Sequence, residues 1–182
     1  VTPTVLFVVG PPGAGKTTIC RKILDLADPT GIERSLVLKP KWTVAPNLLM
    51  AGHYSGQPFD GADTVPYNGV RPALDWWAAT TKPELTILDG DRFSNGPAKA
   101  WLEAQPIRLL CAHVAPPADT LAAWRAAREA AVGAAQNHAW RLGRETKASR
   151  FFDGFGSAGR RFDSTQPNVV HDLLSWAKKG GA

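Results

Sequence analysis

Short apolar runs alternate with amphipathic stretches along the whole chain. "TVLFVVG" (Thr4–Gly10) is a β-rich run entering a glycine loop, and "KTTICRKILDLA" continues from it with helical spacing. "RSLVLKP" predicts a second strand stopped by Pro40, and "NLLMAGHY" a third, at an edge or in a hairpin. "RPALDWWAATT" reads as a helix with Pro72 in its first turn. "ELTILDGD" is a buried strand ending in acids, "GPAKAWLEAQ" a helix and "IRLLCAHV" the next strand. Then come two alanine-rich helices, "PPADTLAAWRAAREAAVG" and "QNHAWRLGRETKASR", separated near Gly133. "RFDSTQPN" ends a strand and leads into the last helix, "NVVHDLLSWAKK". Strands alternating with helices predict right-handed crossovers and an α/β fold, its mostly parallel sheet flanked by helices on both faces.

Two stretches interrupt the pattern. His53–Val70 is rich in Gly, Pro, Asp and Tyr and too long for a simple connection, and Asp153–Thr165 is similarly rich in glycine. Both are expected to face a substrate or cover it.

Composition narrows the class. At 182 residues, 44% of them hydrophobic, the chain suits one compact domain over 1–182 and argues against disorder. No apolar run reaches the roughly 18 residues of a membrane span, so no membrane partner is expected. The N-terminal residues lack the regions of a signal peptide. Cys20 and Cys111 lie in apolar segments at no metal or redox spacing, which suits buried, reduced thiols in a cytoplasmic protein. Between Arg125 and Arg161 stand eight Lys or Arg against three acids, an excess of +5 that equals the net charge of the whole chain. Such a concentration suits a polyanion, either nucleotide phosphates or a nucleic-acid backbone, although a solvated helix face would read the same way.

The glycine loop carries the first chemistry. Gly10, Pro11, Pro12, Gly13, Ala14, Gly15, Lys16 and Thr17 fit G-x-x-x-x-G-K-[ST], with Thr18 following. In such a loop backbone N–H groups curl round a phosphate at a helix N-terminus. Lys16 reaches the terminal phosphates of ATP, and the Thr17 hydroxyl meets Mg²⁺. The loop follows a strand and precedes a helix, which is the context the chemistry needs. Asp89 closes the apolar strand Leu85–Leu88, where an acid would join the Mg²⁺ shell. Asp91 follows two residues on, beside Arg92, and is placed to face an acceptor. Closing cations are expected from a helical lid at about 118–150. Arg141 and Arg144 are three apart and Lys147 extends their face; Arg125 and Arg128 form a similar pair.

The size, the basic helices and the final helix resemble small nucleoside and nucleotide kinases. A closer resemblance lies in "GHYSGQPFDGADTVPYNGVRPALDWW", "LDGDRF" and "RAAREAAVGAAQNHAWRLGRETK". Together they look like the phage-type P-loop kinases that phosphorylate the hydroxymethyl group of 5-hydroxymethylpyrimidines, chiefly 5-hydroxymethyluracil, within DNA. The resemblance runs from about Thr4 to Arg150. It involves Gly52, Tyr54, Phe59, Gly61 and Asp63, then Asp89, Gly90, Asp91 and Arg92, and finally Gln136, Trp140, Gly143, Arg144, Thr146 and Lys147. It implies ATP and Mg²⁺ as cofactors and modified DNA as partner.

A primary alcohol is a poor nucleophile at neutral pH, so a carboxylate that accepts its proton is expected. Asp63 and Asp91 are the candidates, with Asp63 preferred for its loop. A base in duplex DNA must be extruded to reach the donor, and Tyr54, Phe59, Tyr67 and Phe93 are candidates to stack on it. The catalytic set is therefore Lys16, Asp63, Asp91, Arg141 and Arg144, and the acceptor-facing set Tyr54, Phe59, Asp63, Arg92 and Phe93. The alternatives are a kinase for a free nucleoside, nucleotide or other small metabolite, and a non-enzymatic switch or DNA-binding module. The acid at Asp89 and the arginine-rich helices argue against the last.

Overall fold

A computed structural model describes residues 2–28, 35–37, 42–56 and 60–181, with residues 35–37 described as backbone only. The strands are β1 (Thr4–Val9), β2 (Ser35–Val37), β3 (Trp42–Ala45), β4 (Leu48–Ala51), β5 (Leu85–Asp89), β6 (Arg108–Ala115) and β7 (Gly159–Asp163). The helices are α1 (Lys16–Ala27), α2 (Val70–Ala79), α3 (Gly96–Glu103), α4 (Ala118–Val132), α5 (His138–Asp153) and α6 (Val169–Lys178). The strands form one seven-stranded sheet in the order β2-β3-β4-β5-β1-β6-β7. From β4 to β7 every pairing is parallel, and β2-β3-β4 is an antiparallel edge. The expected mostly parallel α/β sheet is thus present.

Strand β1 runs through the centre with every residue buried, because helices cover both faces. Leu6 and Val8 face Ile23 and Leu24 of α1 and Leu173 and Trp176 of α6. Val5, Phe7 and Val9 face the opposite way, into the cluster holding Trp77, Phe93 and Leu102. Strand β3 has no counterpart in the sequence reading. Its four residues lie between Pro40 and Pro46 and are too few to show a period. Register pairs Ala45 with Leu48, so Pro46 and Asn47 make a two-residue turn, with Asn47 in the left-handed region at φ 55°. "NLLMAGHY" therefore yields β4 in a hairpin, lying inside the sheet between β3 and β5.

The glycine-rich stretch from Asp153 corrects a second expectation. Only its start is irregular: a 3₁₀ turn at Gly156–Ala158 passes directly into β7, which pairs with β6 from Cys111↔Gly159 to Ala115↔Asp163. Gly133 ends α4 in the left-handed conformation at φ 72°, as its place between the two basic helices suggested. Cys20 and Cys111 are buried and unpaired. Among the described residues, no helix is long and apolar enough to cross a membrane.

Candidate active site

Parallel pairing brings the loop and the acid together. Val8 sits opposite Asp89, and the amide of Gly90 donates to the carbonyl of Val8 at 2.9 Å. The β1–α1 loop and the end of β5 thus emerge side by side at the carboxyl edge of the sheet, where such folds bind ligands. A cavity of about 650 Å³ opens there, lined by Gly10, Pro12 and Gly13–Thr18, with Asp60, Asp63, Asp89 and Asp91 opposite.

The loop is held by backbone contact. Gly10 has φ 150°, and a Cβ there would lie 2.0 Å from the carbonyl oxygen of Val114 on β6, so only glycine fits. Pro11 accepts from the amide of Ala14 at 3.2 Å and from Lys16 Nζ at 2.9 Å, while Gly10 also accepts from Lys16 at 3.1 Å. Burial lowers the pKa of Lys16, and the neighbouring charges of Asp89 and Asp63 oppose that shift. Gly15 caps α1 with no side-chain acceptor. The first amides of α1 therefore face the cavity as an anion-binding terminus.

Asp89 is 2% exposed. Its Oδ2 accepts from the Thr17 hydroxyl at 3.1 Å and from the Tyr54 hydroxyl at 3.4 Å. Burial pushes its pKa up to about 6, with Lys16 and Thr17 pulling the other way. Its Oδ1 is buried with no hydrogen-bond partner among the described residues. A buried carboxylate oxygen without a donor, beside a threonine hydroxyl and a phosphate loop, fits a hard divalent cation. Thr17 and Asp89 would hold Mg²⁺ here, and the ion would supply positive charge to stabilise the transferring phosphoryl group.

The segment after β4 folds back onto Asp89. His53 pairs with Gly61, whose amide donates to the His53 carbonyl at 2.7 Å. Gly61 has φ 70°, and a Cβ there would stand 2.9 Å from Asp89 Oδ2 and 3.0 Å from the Tyr54 ring. Asp60 ties the segment to α1 through Arg21 Nη2 at 2.8 Å, and it also accepts from the amides of Ser55 and Gly56. These contacts set Asp63, in the 3₁₀ turn Ala62–Thr64, on the cavity wall. Asp63 is exposed and accepts no hydrogen bond among the described residues, yet its charge acts on both Lys16 and Asp89.

The remaining candidates divide. Asp91 and Arg92 line the cavity, but the Asp91 carboxylate is engaged by Arg144 and, at 2.7 Å, by Lys147. Arg144 also donates to the Tyr67 hydroxyl at 3.0 Å, and Arg92 lies over the Tyr67 ring, 3.5 Å from its centre. Arg141 does not line the cavity; it pairs with Glu129 at 3.4 Å and joins α5 to α4. Tyr54 is 7% exposed and stands behind Asp89 rather than in the cavity. Phe93 is wholly buried against Trp42, 6.1 Å between ring centres, so the structure places it in the core and not against an acceptor. Phe59 lies outside the described residues.

Four residues take places that spacing could not assign. Arg125 is a tether: its Nε donates to Pro12 O at 3.0 Å and its Nη2 pairs with Glu145 at 2.6 Å. One helical turn on, Arg128 lines the cavity with no ion pair or hydrogen bond among the described residues, close enough to act on Lys16. Trp124 stands over the loop, 3.5 Å from where a Cβ of Gly15 would lie, and is 38% exposed, while Trp140 lines the same cavity at 46%. The Arg125/Arg128 pair was visible as a pair; which member turns inward was not.

A phosphate loop, an acid on the adjacent parallel strand and basic helices folded over both define a P-loop phosphotransferase. The sequence profile of the P-loop Nucleotide Kinase3 family matches residues 1–170. The chain belongs to that family and is a small P-loop kinase. No curated protein matches it. Among solved structures it is similar to a gluconokinase from Sinorhizobium meliloti 1021, at 15% identity, covering 99% of this chain and 92% of that one with a TM-score of 0.49.

Proposed function

We propose that the chain transfers the γ-phosphate of ATP to the hydroxymethyl group of a 5-hydroxymethylpyrimidine in DNA, with 5-hydroxymethyluracil favoured over 5-hydroxymethylcytosine. The observation that carries the transfer is Asp63, a carboxylate unengaged among the described residues, on the wall of the cavity that also holds Lys16 and Asp89. The acceptor oxygen attacks the γ-phosphorus, the bond to the β–γ bridging oxygen breaks, ADP leaves, and the hydroxyl proton passes to Asp63. Lys16 and Arg128 stabilise the charge on the transferring group.

The identity of the acceptor rests on the resemblance of the segments around Gly52–Trp77, Asp89–Phe93 and Gln136–Lys147. It is supported by a cavity mouth carrying the exposed rings of Tyr67, Trp124 and Trp140, which suit a planar base turned out of its stack.

One observation favours the alternative, a free nucleoside or nucleotide. Of the eight cations between Arg125 and Arg161, five are engaged by acids: Arg125 by Glu145, Arg141 by Glu129, Arg144 and Lys147 by Asp91, and Arg161 by Asp153. The basic excess therefore serves partly to bind the lid together.

The two readings separate on acceptor. With Mg²⁺ and γ-labelled ATP, label should enter duplex DNA containing 5-hydroxymethyluracil and spare unmodified DNA. Label entering only free nucleosides or nucleotides would refute the DNA reading.

A further inference from the structure

We infer that Arg125 is a positioning residue that turns Arg128 onto the phosphate to be transferred. Its side chain bridges the donor loop and α5 and so sets the rotation of α4. The role rests on the kinase reading above, and it concerns the donor side alone.

Apolar packing does not orient α4. No residue of α4 is buried, and of α5 only Ala148 is. Polar contacts therefore decide which face of α4 turns inward. Glu129 accepts from Arg141 and from the amide of Gln136, and neither partner belongs to the loop. Arg125 does reach the loop: its Nε donates to Pro12 O at 3.0 Å, and its Nη2 donates to Glu145 at 2.6 Å. Its stem lies against Gly13, where a Cβ would stand 3.2 Å from Arg125 Cγ. A planar guanidinium held at two of its nitrogens has a fixed orientation, which a lysine ammonium would lack. The Arg125 side chain is 15% exposed, does not line the cavity, and pairs its charge with Glu145. It is thus not the group that meets the phosphate. Arg128, one helical turn on, does line the cavity, as does Trp124, four residues before it on the same face. With α4 pinned at Arg125 that face looks onto the loop, and a helix free to roll would carry Arg128 away.

A thermodynamic cycle on the donor side tests the role. Mg·ADP, alone or with beryllium trifluoride standing in for the γ-phosphoryl group, is titrated calorimetrically into wild type, Arg125→Gln, Arg128→Ala and the double variant. The readout is the preference for the fluoride complex over ADP, so any change in the loop's hold on ADP cancels. Arg128→Ala and Arg125→Gln should each lower that preference about tenfold. Once Arg128 is alanine, Arg125→Gln should change it by less than about twofold, whereas a general structural weakening would act equally in both backgrounds. Glu145→Gln breaks the other end of the bridge and should behave as Arg125→Gln does, which keeps the test decisive if that variant fails to melt as the wild type. A preference missing from the wild type, unchanged by Arg125→Gln and Glu145→Gln, or lost equally with and without Arg128, overturns the role. No acceptor is present, so failure of the cycle and failure of the labelling experiment are told apart.

Discussion

Thr17 and Asp89 stand 72 positions apart in the chain, and the threonine hydroxyl donates to Oδ2 of the aspartate over 3.1 Å. Tyr54 donates to the same oxygen at 3.4 Å, which leaves Oδ1 turned away from both donors. Asp89→Asn should reduce transfer by at least about a hundredfold, and Tyr54→Phe should weaken Mn²⁺ binding by about tenfold. Paramagnetic titration of Mn²⁺ with ADP present checks the second. An unchanged metal affinity in Tyr54→Phe would leave that hydroxyl no part in orienting the acid.

The raised pKa of Asp89, about 6 without metal, predicts a proton competing with the cation. The Mg²⁺ concentration for half-maximal transfer at fixed ATP should climb as pH falls from 7 through 6, while above 7 it stays level. A half-saturation flat from pH 7.5 to 5.5 would contradict the burial argument.

Arg128 and Arg141 offer the sharpest contrast between spacing and geometry. Arg128 faces the cavity without a partner among the described residues, whereas Arg141 is paired with Glu129 away from it. Arg128→Ala should lower kcat by about a hundredfold or more, and Arg141→Ala should stay within a few-fold of wild type. The reverse ranking in steady-state kinetics would return the closing role to Arg141.

These residues show why the site was only partly legible in the sequence. The loop Gly10–Thr17 is local, so its chemistry could be read directly, and Asp89 was found because it closes an apolar strand. Arg125, Arg128, Arg141 and Arg144 lie on alanine-rich helices whose apolar stripe is weak, so i, i+3 spacing identifies pairs without saying which face turns inward. Phe93 and Tyr54 flank functional residues in sequence, yet both are buried: Phe93 packs with Trp42 of β3 and Trp77 of α2, and Tyr54 joins Ile19 and Cys20 of α1 behind Asp89. Trp124 and Trp140 carry no such spacing signal, and α4 and α5 leave both rings partly exposed beside the cavity.

His113 on β6 reports fold stability rather than catalysis. Burial, then Arg161, lowers its pKa to about 4 from an ordinary 6.5. Between those values the unfolded chain binds more protons than the folded one, so stability is complete above about pH 6.5 and lost as pH falls toward 4. The loss should be on the order of 2 kcal/mol, and His113→Gln should flatten it. Urea melts at pH 7 and pH 4.5 check this; equal pH slopes for the two proteins would exclude His113 as the source.

Gly61 holds the segment after β4 against Asp89. Gly61→Ala places a Cβ 2.9 Å from Asp89 Oδ2 at φ 70°, so it should cost about 1–3 kcal/mol of stability and depress transfer more than ATP binding. Thermal melting alongside nucleotide titration separates the two effects, and a variant that melts and turns over as the wild type does would show that the segment yields.

The position of the transferred phosphate separates transfer to the base from every other fate of the γ-phosphate. After reaction with Mg·ATP, DNA containing 5-hydroxymethyluracil is digested with nucleases to nucleoside monophosphates, without phosphatase, and analysed by mass spectrometry and ³¹P NMR. A phosphomonoester on the 5-hydroxymethyl oxygen is expected, absent when Asp63 is changed to Asn although ATP still binds. Phosphate found on a terminal hydroxyl of the DNA, or released to water, would contradict it.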